Sequence, residues 1–472
     1  MSTPNDAGAQ LGAQVSDPVN NITGEFYVQE TDLELPGPIP LALHRNYSSQ
    51  DLADNQFGYG WKLSIMPYLV ISTKATNIYA ADMDGAVLAY VHSTNSASTN
   101  LWSPRLKANP QLDNNTTAGV GSLANRLRDY ILRSVSGSIT NYTLYGADGS
   151  VRVFQWMNFN SGTITNDRPY LTQWTDNCGN FYTFSYDTNP ADADYSQMTR
   201  VKCSNGNYFN FDYDIYGHMV DAYTGDGRWV YYTYDEYGDL TTVTLPDGST
   251  RSYQYQLGTQ SVTNSGHVTQ YPYSTHLIIE EDKPDGRELL NVYDSQRRVT
   301  NQLSTAGSDL NPILTATFVY SNNFALTNAF TNLVYGYTYV IDGNGNTNRY
   351  DYTNSLITQI TDPFGYKIQQ IWYADATTSP GYPRSVQQRK DKRGLWTTYL
   401  YDLNGNVTNV VFAGDLTGNG IATQTATNIA IFNTNCLPVQ TTDPSGNSIV
   451  TVYDQSLILS LHKLFIVPAE LP

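Results

Sequence analysis

The sequence is poor in charge, in cysteine and in long apolar runs, and each shortage closes off a class of protein. Lys and Arg number 26 in 472 residues, and charged residues are 15% of the chain, against about a quarter in ordinary soluble domains. Phosphate binding needs clustered Lys and Arg, so nucleic acid is excluded as a partner. The three cysteines, Cys178, Cys203 and Cys436, are too few and too widely spaced for a disulfide framework or a metal knuckle. No run approaches the roughly 18 apolar residues of a spanning helix, so no transmembrane segment is expected. Residues 1–15 have neither a basic region nor an apolar core, so no signal peptide is visible. Export is therefore expected by another route.

Catalytic patterns are missing too. There is no His-Glu-x-x-His pair, no Gly-x-Ser-x-Gly elbow and no glycine followed by lysine for a phosphate loop. Gly343-Asn344-Gly345 and Gly418-Asn419-Gly420 lack the third glycine of a dinucleotide site and read as turns. The six histidines, 44, 92, 218, 267, 276 and 462, are scattered, and His44 beside Arg45 reads as a packing residue. Glu280-Glu281-Asp282 reads as a solvated hairpin edge and not as a glycosidase pair. Asp415 to Gly420 hints at a calcium loop but lacks its repeated oxygen ligands and closing Glu. The chain is expected to be no enzyme, with no catalytic, cofactor or metal residues.

What the sequence has is tyrosine and glycine in a fixed relation. Tyr (38) outnumbers Lys and Arg together (26), a strand-favouring composition. A unit of 21 residues occurs twice in succession: Tyr213 recurs as Tyr234 and Tyr255, Gly217 as Gly238, and Asp226-Gly227 as Asp247-Gly248. A fixed period decides the fold before any local reading. Seven residues after a turn glycine comes an aromatic: Gly149 to Trp156, Gly179 to Tyr186, Gly206 to Tyr213, Gly227 to Tyr234, Gly248 to Tyr255. The same count takes Gly286 to Tyr293, Gly345 to Tyr352, Gly365 to Trp372, Gly394 to Tyr401 and Gly446 to Tyr453. Aromatics also stand two before many of these, as Phe154, Phe184, Phe211, Tyr232, Tyr253, Tyr350 and Tyr399. Positions i and i+2 share a strand face, so each unit is a half-buried strand leaving a turn.

The spacing predicts two turn lengths. Asp226-Gly227, Asp247-Gly248 and Asp285-Gly286 suit a two-residue loop with positive φ. Asp176, Asp342, Asp362, Asp391 and Asp443 stand three before their glycine and suit a type I turn. Asp supplies 35 of the 43 acids, so the net charge of −17 is mainly turn chemistry. Trp229, Tyr231, Tyr237 and Trp396 fall off the buried register, where aromatic faces can stack on sugars or anchor a protein.

Before the array stand Asp17-Pro18-Val19-Asn20, Thr23-Gly24-Glu25-Phe26, Leu33-Glu34-Leu35-Pro36-Gly37, Leu41-Ala42-Leu43-His44-Arg45-Asn46-Tyr47 and Gly58-Tyr59-Gly60-Trp61. This segment resembles the conserved N-terminal region of bacterial Rhs (rearrangement hotspot) proteins. Tyr234-Asp235-Glu236-Tyr237-Gly238 and Tyr401-Asp402-Leu403-Asn404-Gly405 resemble the YD repeats that Rhs proteins share with toxin-complex C components and teneurins. The second glycine of that signature is kept as Gly217, Gly238 and Gly405, while Arg297, Leu356 and Leu457 replace it elsewhere.

The resemblance implies an all-β fold, in which consecutive hairpins form a curved, spiralling antiparallel sheet, a partial shell preceded by a small β-rich N-terminal region that helps plug it. The expected divisions are a disordered tail at 1–15, the Rhs-type region at 16–70, an irregular β region with a polar loop at 71–140, the array at 141–454 and an atypical tail at 455–472. Long hairpins or surface loops are expected around 256–280, 303–338 and 374–386, and a closing strand in the tail. The implied function is a structural shell that encloses or presents a C-terminal effector or toxin, here missing. Its partner is then that cargo, and its place is outside the cell or on its surface after synthesis in the cytoplasm. The alternative is a secreted or surface module that binds carbohydrate or adheres to other cells, with glycans or cell-surface proteins as partners.

Overall fold

A computed structural model of the chain describes residues 14–15, 18–65, 68–72, 77–81, 87–92, 100–105, 129–146, 149–161, 164–264, 267–305, 311–321, 335–374, 385–402, 405–433, 437–453 and 465–467. Among these the fold is all-β, as expected, with no helix. No helix is therefore long and apolar enough to cross a membrane.

Most of the chain is one antiparallel ribbon. It starts at Tyr68–Ile71, and each strand pairs with the one before and the one after, to Phe465–Val467. The hairpin Asn77–Ala81 and Val87–His92 and the strand Leu101–Arg105 belong to it. The ribbon thus begins well before residue 141, where the array was expected to start. The long gap around 256–280 is a hairpin of two extended strands, Thr250–Asn264 and His267–Asp282. Ile313–Tyr320 fills part of the 303–338 gap, while 322–334 and 375–384 lie outside the described residues. Of the two tails, Gln14–Val15 pairs with Val19–Asn20 and Phe465–Val467 with Ser448–Val450. Residues 1–13, 454–464 and 468–472 lie outside the described residues. No ladder among the described residues joins the first strand to the last, so the sheet is open.

The turns differ from the expected two lengths. In one class Gly179 and Gly345 donate to Asp176 and Asp342 O, and those aspartates' own N–H groups reach Asn180 and Asn346 O. In the other, Gly227, Gly248 and Gly286 donate to Thr224, Leu245 and Lys283 O, whose N–H groups reach Arg228, Ser249 and Arg287 O. The pattern is the same: one turn with a left-handed glycine at its end, at φ +85° for both Gly179 and Gly227. A two-residue loop would need positive φ at Asp226, Asp247 and Asp285 as well, and only their glycines have it. What varies is the aspartate's job. Three before the glycine, Asp342 accepts N–H from Asn344 and Asn346. One before it, Asp247 accepts from Ser249 instead. Among the described residues the two-residue turn occurs at Asn354-Ser355, with φ 53° and 61°, where Leu356 stands in place of the second glycine.

The repeated aromatic has a job that explains its fixed distance. At eight of the ten the ladder slips by a residue, as between Asp212 and Tyr213 or Thr233 and Tyr234; Trp156 and Tyr453 are the exceptions. Such a bulge leaves a backbone group of the opposed residue without a ladder partner. The aromatic of the next unit supplies that partner. Tyr213 pairs with Met219, and Met219 O accepts from Tyr234 Oη at 2.7 Å. Tyr234 pairs with Leu240, and Leu240 O accepts from Tyr255 at 3.0 Å. The same reach of 15 residues links Tyr186 to Leu171, Tyr213 to Met198, Tyr293 to Ile278, Trp372 to Ile357, Tyr401 to Val386 and Tyr453 to Pro438. Two of the ten depart: Trp156 donates to Asn158, and Tyr352 meets Thr338 Oγ1. Burial pushes the phenols of Tyr213, Tyr234, Tyr255 and Tyr293 well above their ordinary range, so they stay donors.

The N-terminal segment is a separate small sheet, Tyr27–Leu35, Leu41–Ser48 and Trp61–Leu63. Apolar residues on it, Leu33, Leu35, Leu41, Leu43, Tyr47 and Trp61, join one core with the ribbon's inner aromatics.

Candidate functional site

The feature that distinguishes this chain from a bare repeat is the seam between the N-terminal sheet and the ribbon. It runs far along the ribbon. Pro40 O accepts from Tyr182, Pro36 O from Asn207, Glu34 O from Arg228 and Asn21 O from Thr338. The first and last contacts lie at the two ends of a run of twelve consecutive strands, about 50 Å if the sheet were flat. The longest N-terminal strand has nine residues, roughly 30 Å. The ribbon must therefore bend around the small sheet, which fixes the inner face as concave.

Three bulge residues set the register of the seam. Met219 donates its N–H to Gln56 O, Val299 to Gly24 O and Ile278 to Tyr47 Oη. Each already gives its carbonyl to a tyrosine hydroxyl, that of Tyr234, Tyr320 and Tyr293 respectively. The second-glycine turns crowd the same seam. A Cβ on Gly58 would meet Gly238 O at 2.1 Å, so Gly58 cannot carry a side chain there. Arg297 takes that turn position at φ +63° and sends its guanidinium to Ser49 O (2.9 Å) and Thr275 O (2.6 Å). Its departure from glycine is thus a docking contact and not wear.

At the centre lies a buried ion pair. Arg45 Nε meets Asp32 Oδ2 at 2.7 Å, with both side chains inaccessible. Asp32 also accepts from Tyr232 at 3.0 Å and from Arg251 at 3.3 Å. Arg45 donates to Tyr253 at 3.1 Å and lies 4.5 Å from the Trp61 ring centre. Burial works against the Arg45 charge, but Asp32, with Tyr253 and Tyr232, outweighs it and holds the guanidinium well above its ordinary value. A register shift between Thr31 and Leu33 turns Asp32 inward. His44 meets Thr31 Oγ1 at 2.9 Å, and burial lowers its pKa despite nearby Asp32 and Glu30.

Two histidines complete the seam. His218 Nε2 meets Asp54 Oδ1 of the N-terminal segment at 2.9 Å, with Asp214 3.6 Å from Nδ1. Burial would lower its pKa, and the two carboxylates raise it instead. His276 stacks on Tyr59 at 3.7 Å and meets Asp239 Oδ1 at 2.8 Å, while Ser274 donates to the other oxygen. The Ser274 hydroxyl and the His276 ring converge on one carboxylate, and Ser274 Oγ also accepts the His276 backbone N–H at 3.0 Å. Glu281 corrects the reading of the acidic run: it is 2% exposed on the seam side, opposite Tyr253. Asp415 spends its carboxylate on Asn419 and Gly420 N–H groups.

The sequence pointed to the repeat positions and missed the seam. Asp32, Asp54, Asp239, Arg251 and His276 sit at ordinary strand or turn positions. The one legible signal was Arg45 inside the apolar alternation Leu41, Leu43, Tyr47. Beyond the seam the same face lies open. From Val386 to Gly414 the strands are half-buried almost throughout. A groove of about 470 Å³ runs there, walled by Val407, Val410, Ala430 and Ile449.

A family model described as a domain of unknown function (DUF6531) matches residues 16–90. No curated protein matches the chain. Among solved structures, the TcdB2-TccC3 complex without its hypervariable C-terminal region is similar at 9% identity and a TM-score of 0.39, over 95% of this chain and 26% of that one. The Tc holotoxin pore of Photorhabdus luminescens is similar at 8% identity and 0.34, over 91% and 22%. The N-terminal domain of the effector SpvB from Salmonella typhimurium strain LT2 is similar at 12% identity and 0.24, over 68% and 99%. All three likenesses are loose. The chain spans about a quarter of the length of the two Tc structures.

Proposed function

We propose that this chain is a non-enzymatic segment of a YD-repeat shell of the Rhs type, whose role is to enclose or present a C-terminal effector. The observation that carries the reading is the concave face. One stretch of it is filled by the chain's own N-terminal sheet, and the next, built from the same repeat, is left open with apolar side chains half-exposed. A sheet that bends around one polypeptide segment can bend around another. Its partner is the effector that follows the repeats, and its working place is outside the cell that makes it.

The test is protection. An unfolded, trypsin-sensitive reporter is fused to the C-terminus of the full chain and, separately, to its N-terminus. Slow digestion of the C-terminal reporter beside fast digestion of the N-terminal one is the expected result. Equal rates for both reporters sink the enclosing role.

A further inference from the structure

The face turned away from the N-terminal sheet carries its own pattern. On four neighbouring strands, Met198–Cys203, Tyr208–Tyr213, Met219–Thr224 and Trp229–Tyr234, the register lines up aromatic and acidic side chains. One row runs Arg200, Asn210, Tyr223, Trp229; the next runs Asp212, Asp221, Tyr231, Thr244. Tyr223 stacks on Trp229 at 4.1 Å and 18°. Trp229 and Tyr231 lie nearly parallel, 10° apart with centroids 5.9 Å apart, a spacing like that of successive rings in a linear sugar chain. They are 37% and 49% exposed. On the flank away from Tyr223 the next strand places the small Thr244 opposite Tyr231, which leaves room beside that ring.

The polar half of the patch lacks a donor. Asp212 and Asp221 stand directly opposite each other. Burial, then Asp212 and Asp194, push the Asp221 carboxyl up to about 6. Asp212 is its hydrogen-bonding neighbour, and the Asp221 Oδ1 is shielded from solvent. Facing carboxylates repel an anionic ligand, and an apolar one would leave them unpaired. A peptide strand finds no edge to join, because both sides of these strands are already laddered. A neutral pyranose chain fits both halves: its C–H faces lie against Trp229 and Tyr231, and its hydroxyls donate to the exposed carboxylate of Asp212, beside Asp221.

We propose that this outer face, centred on Trp229, Tyr231 and Asp221, is a binding platform for an uncharged polysaccharide. It goes beyond the shell reading and does not rest on it. The test titrates the full-length protein by calorimetry with cellohexaose, chitohexaose, xylohexaose and mannohexaose. At least one of the four is expected to bind, and Trp229→Ala to weaken it by roughly tenfold. Trp396→Ala, on a ring covered by Lys390, is the folded control and is expected to bind unchanged. Asp221→Asn is expected to weaken binding while leaving the protein folded by circular dichroism. No binding of any of the four at millimolar concentration overturns the proposal, as does binding that survives the pair Trp229→Ala and Tyr231→Ala.

Discussion

Two stretches of one ribbon, built on the same repeat, end in different physical states. In Trp229–Tyr234 exposed and buried residues alternate strictly down to Tyr232. In Val407–Gly414 every residue is intermediate. Yet the local devices are identical. Gly227 and Gly394 both sit at positive φ, 85° and 91°. Tyr234 and Tyr401 both reach back 15 residues to a carbonyl, at 2.7 and 2.9 Å. The turn, the bulge and the tyrosine latch therefore belong to the repeat and form wherever it is written. Burial belongs to what lies on top, and only the first stretch has the N-terminal sheet over it. A strand can be correctly made and still lack a core.

Breaking the cover should break the contrast. Arg45→Ala leaves Asp32 buried, with only Arg251 at 3.3 Å to balance it. A loss of about 3–5 kcal/mol is expected, as for other halves of buried pairs. Denaturant unfolding should show an early transition, and limited proteolysis should cut within 18–65 while strands beyond Val386 are digested at the wild-type rate. Uniform destabilisation of both stretches would mean that the seam is not a separate unit.

A second comparison removes one latch from each stretch. Tyr255→Phe strands Leu240 O and also the Trp61 indole N–H, which donates to Tyr255 at 2.9 Å. Roughly 1–3 kcal/mol should be lost, since both orphans are buried. Tyr453→Phe strands Pro438 O on the open stretch, where water can replace the hydroxyl, so about 1 kcal/mol or less is expected. Melting curves of the two variants check the order, and equal losses would contradict it.

The smallest effect is a pH dependence confined to the seam. The folded pKa of His218 is raised by Asp54 and Asp214. A raised histidine contributes fully below its unfolded pKa of about 6.5 and loses that contribution as pH rises through the folded value. Stability should thus fall on the alkaline side of about 6.5. His218→Gln should flatten that part of the curve in denaturant midpoints measured across pH. A variant with an unchanged pH profile would show that the His218–Asp54 contact is not charged.

Where the reading of residues fell short, the reason was the same each time. The Asp-Gly pairs suggested a shorter turn because composition gives no φ, and one left-handed residue costs less than two. Arg297 in place of the second glycine carried no local reason, because its partner, Ser49, lies 248 residues away. Glu281 looked solvated because the sheet that covers it is far off in sequence. Trp229 and Tyr231 were legible as exposed, since their parity opposes that of the buried Val230 and Tyr232. Tyr237 and Trp396 share the off-register reading but are half-buried.

By itself the sequence determined the local unit: a glycine that sets the turn, a strand of fixed length, and an aromatic seven residues on. Those features depend on backbone sterics and on neighbours within about 20 residues, which a 21-residue period carries in full. Only the tertiary structure decided which stretch of the ribbon acquired a core, which carboxylates became buried, and which carbonyl each tyrosine served. Those outcomes depend on a sheet near residue 45 meeting strands near residues 182 to 338, and no local pattern encodes a contact at that separation.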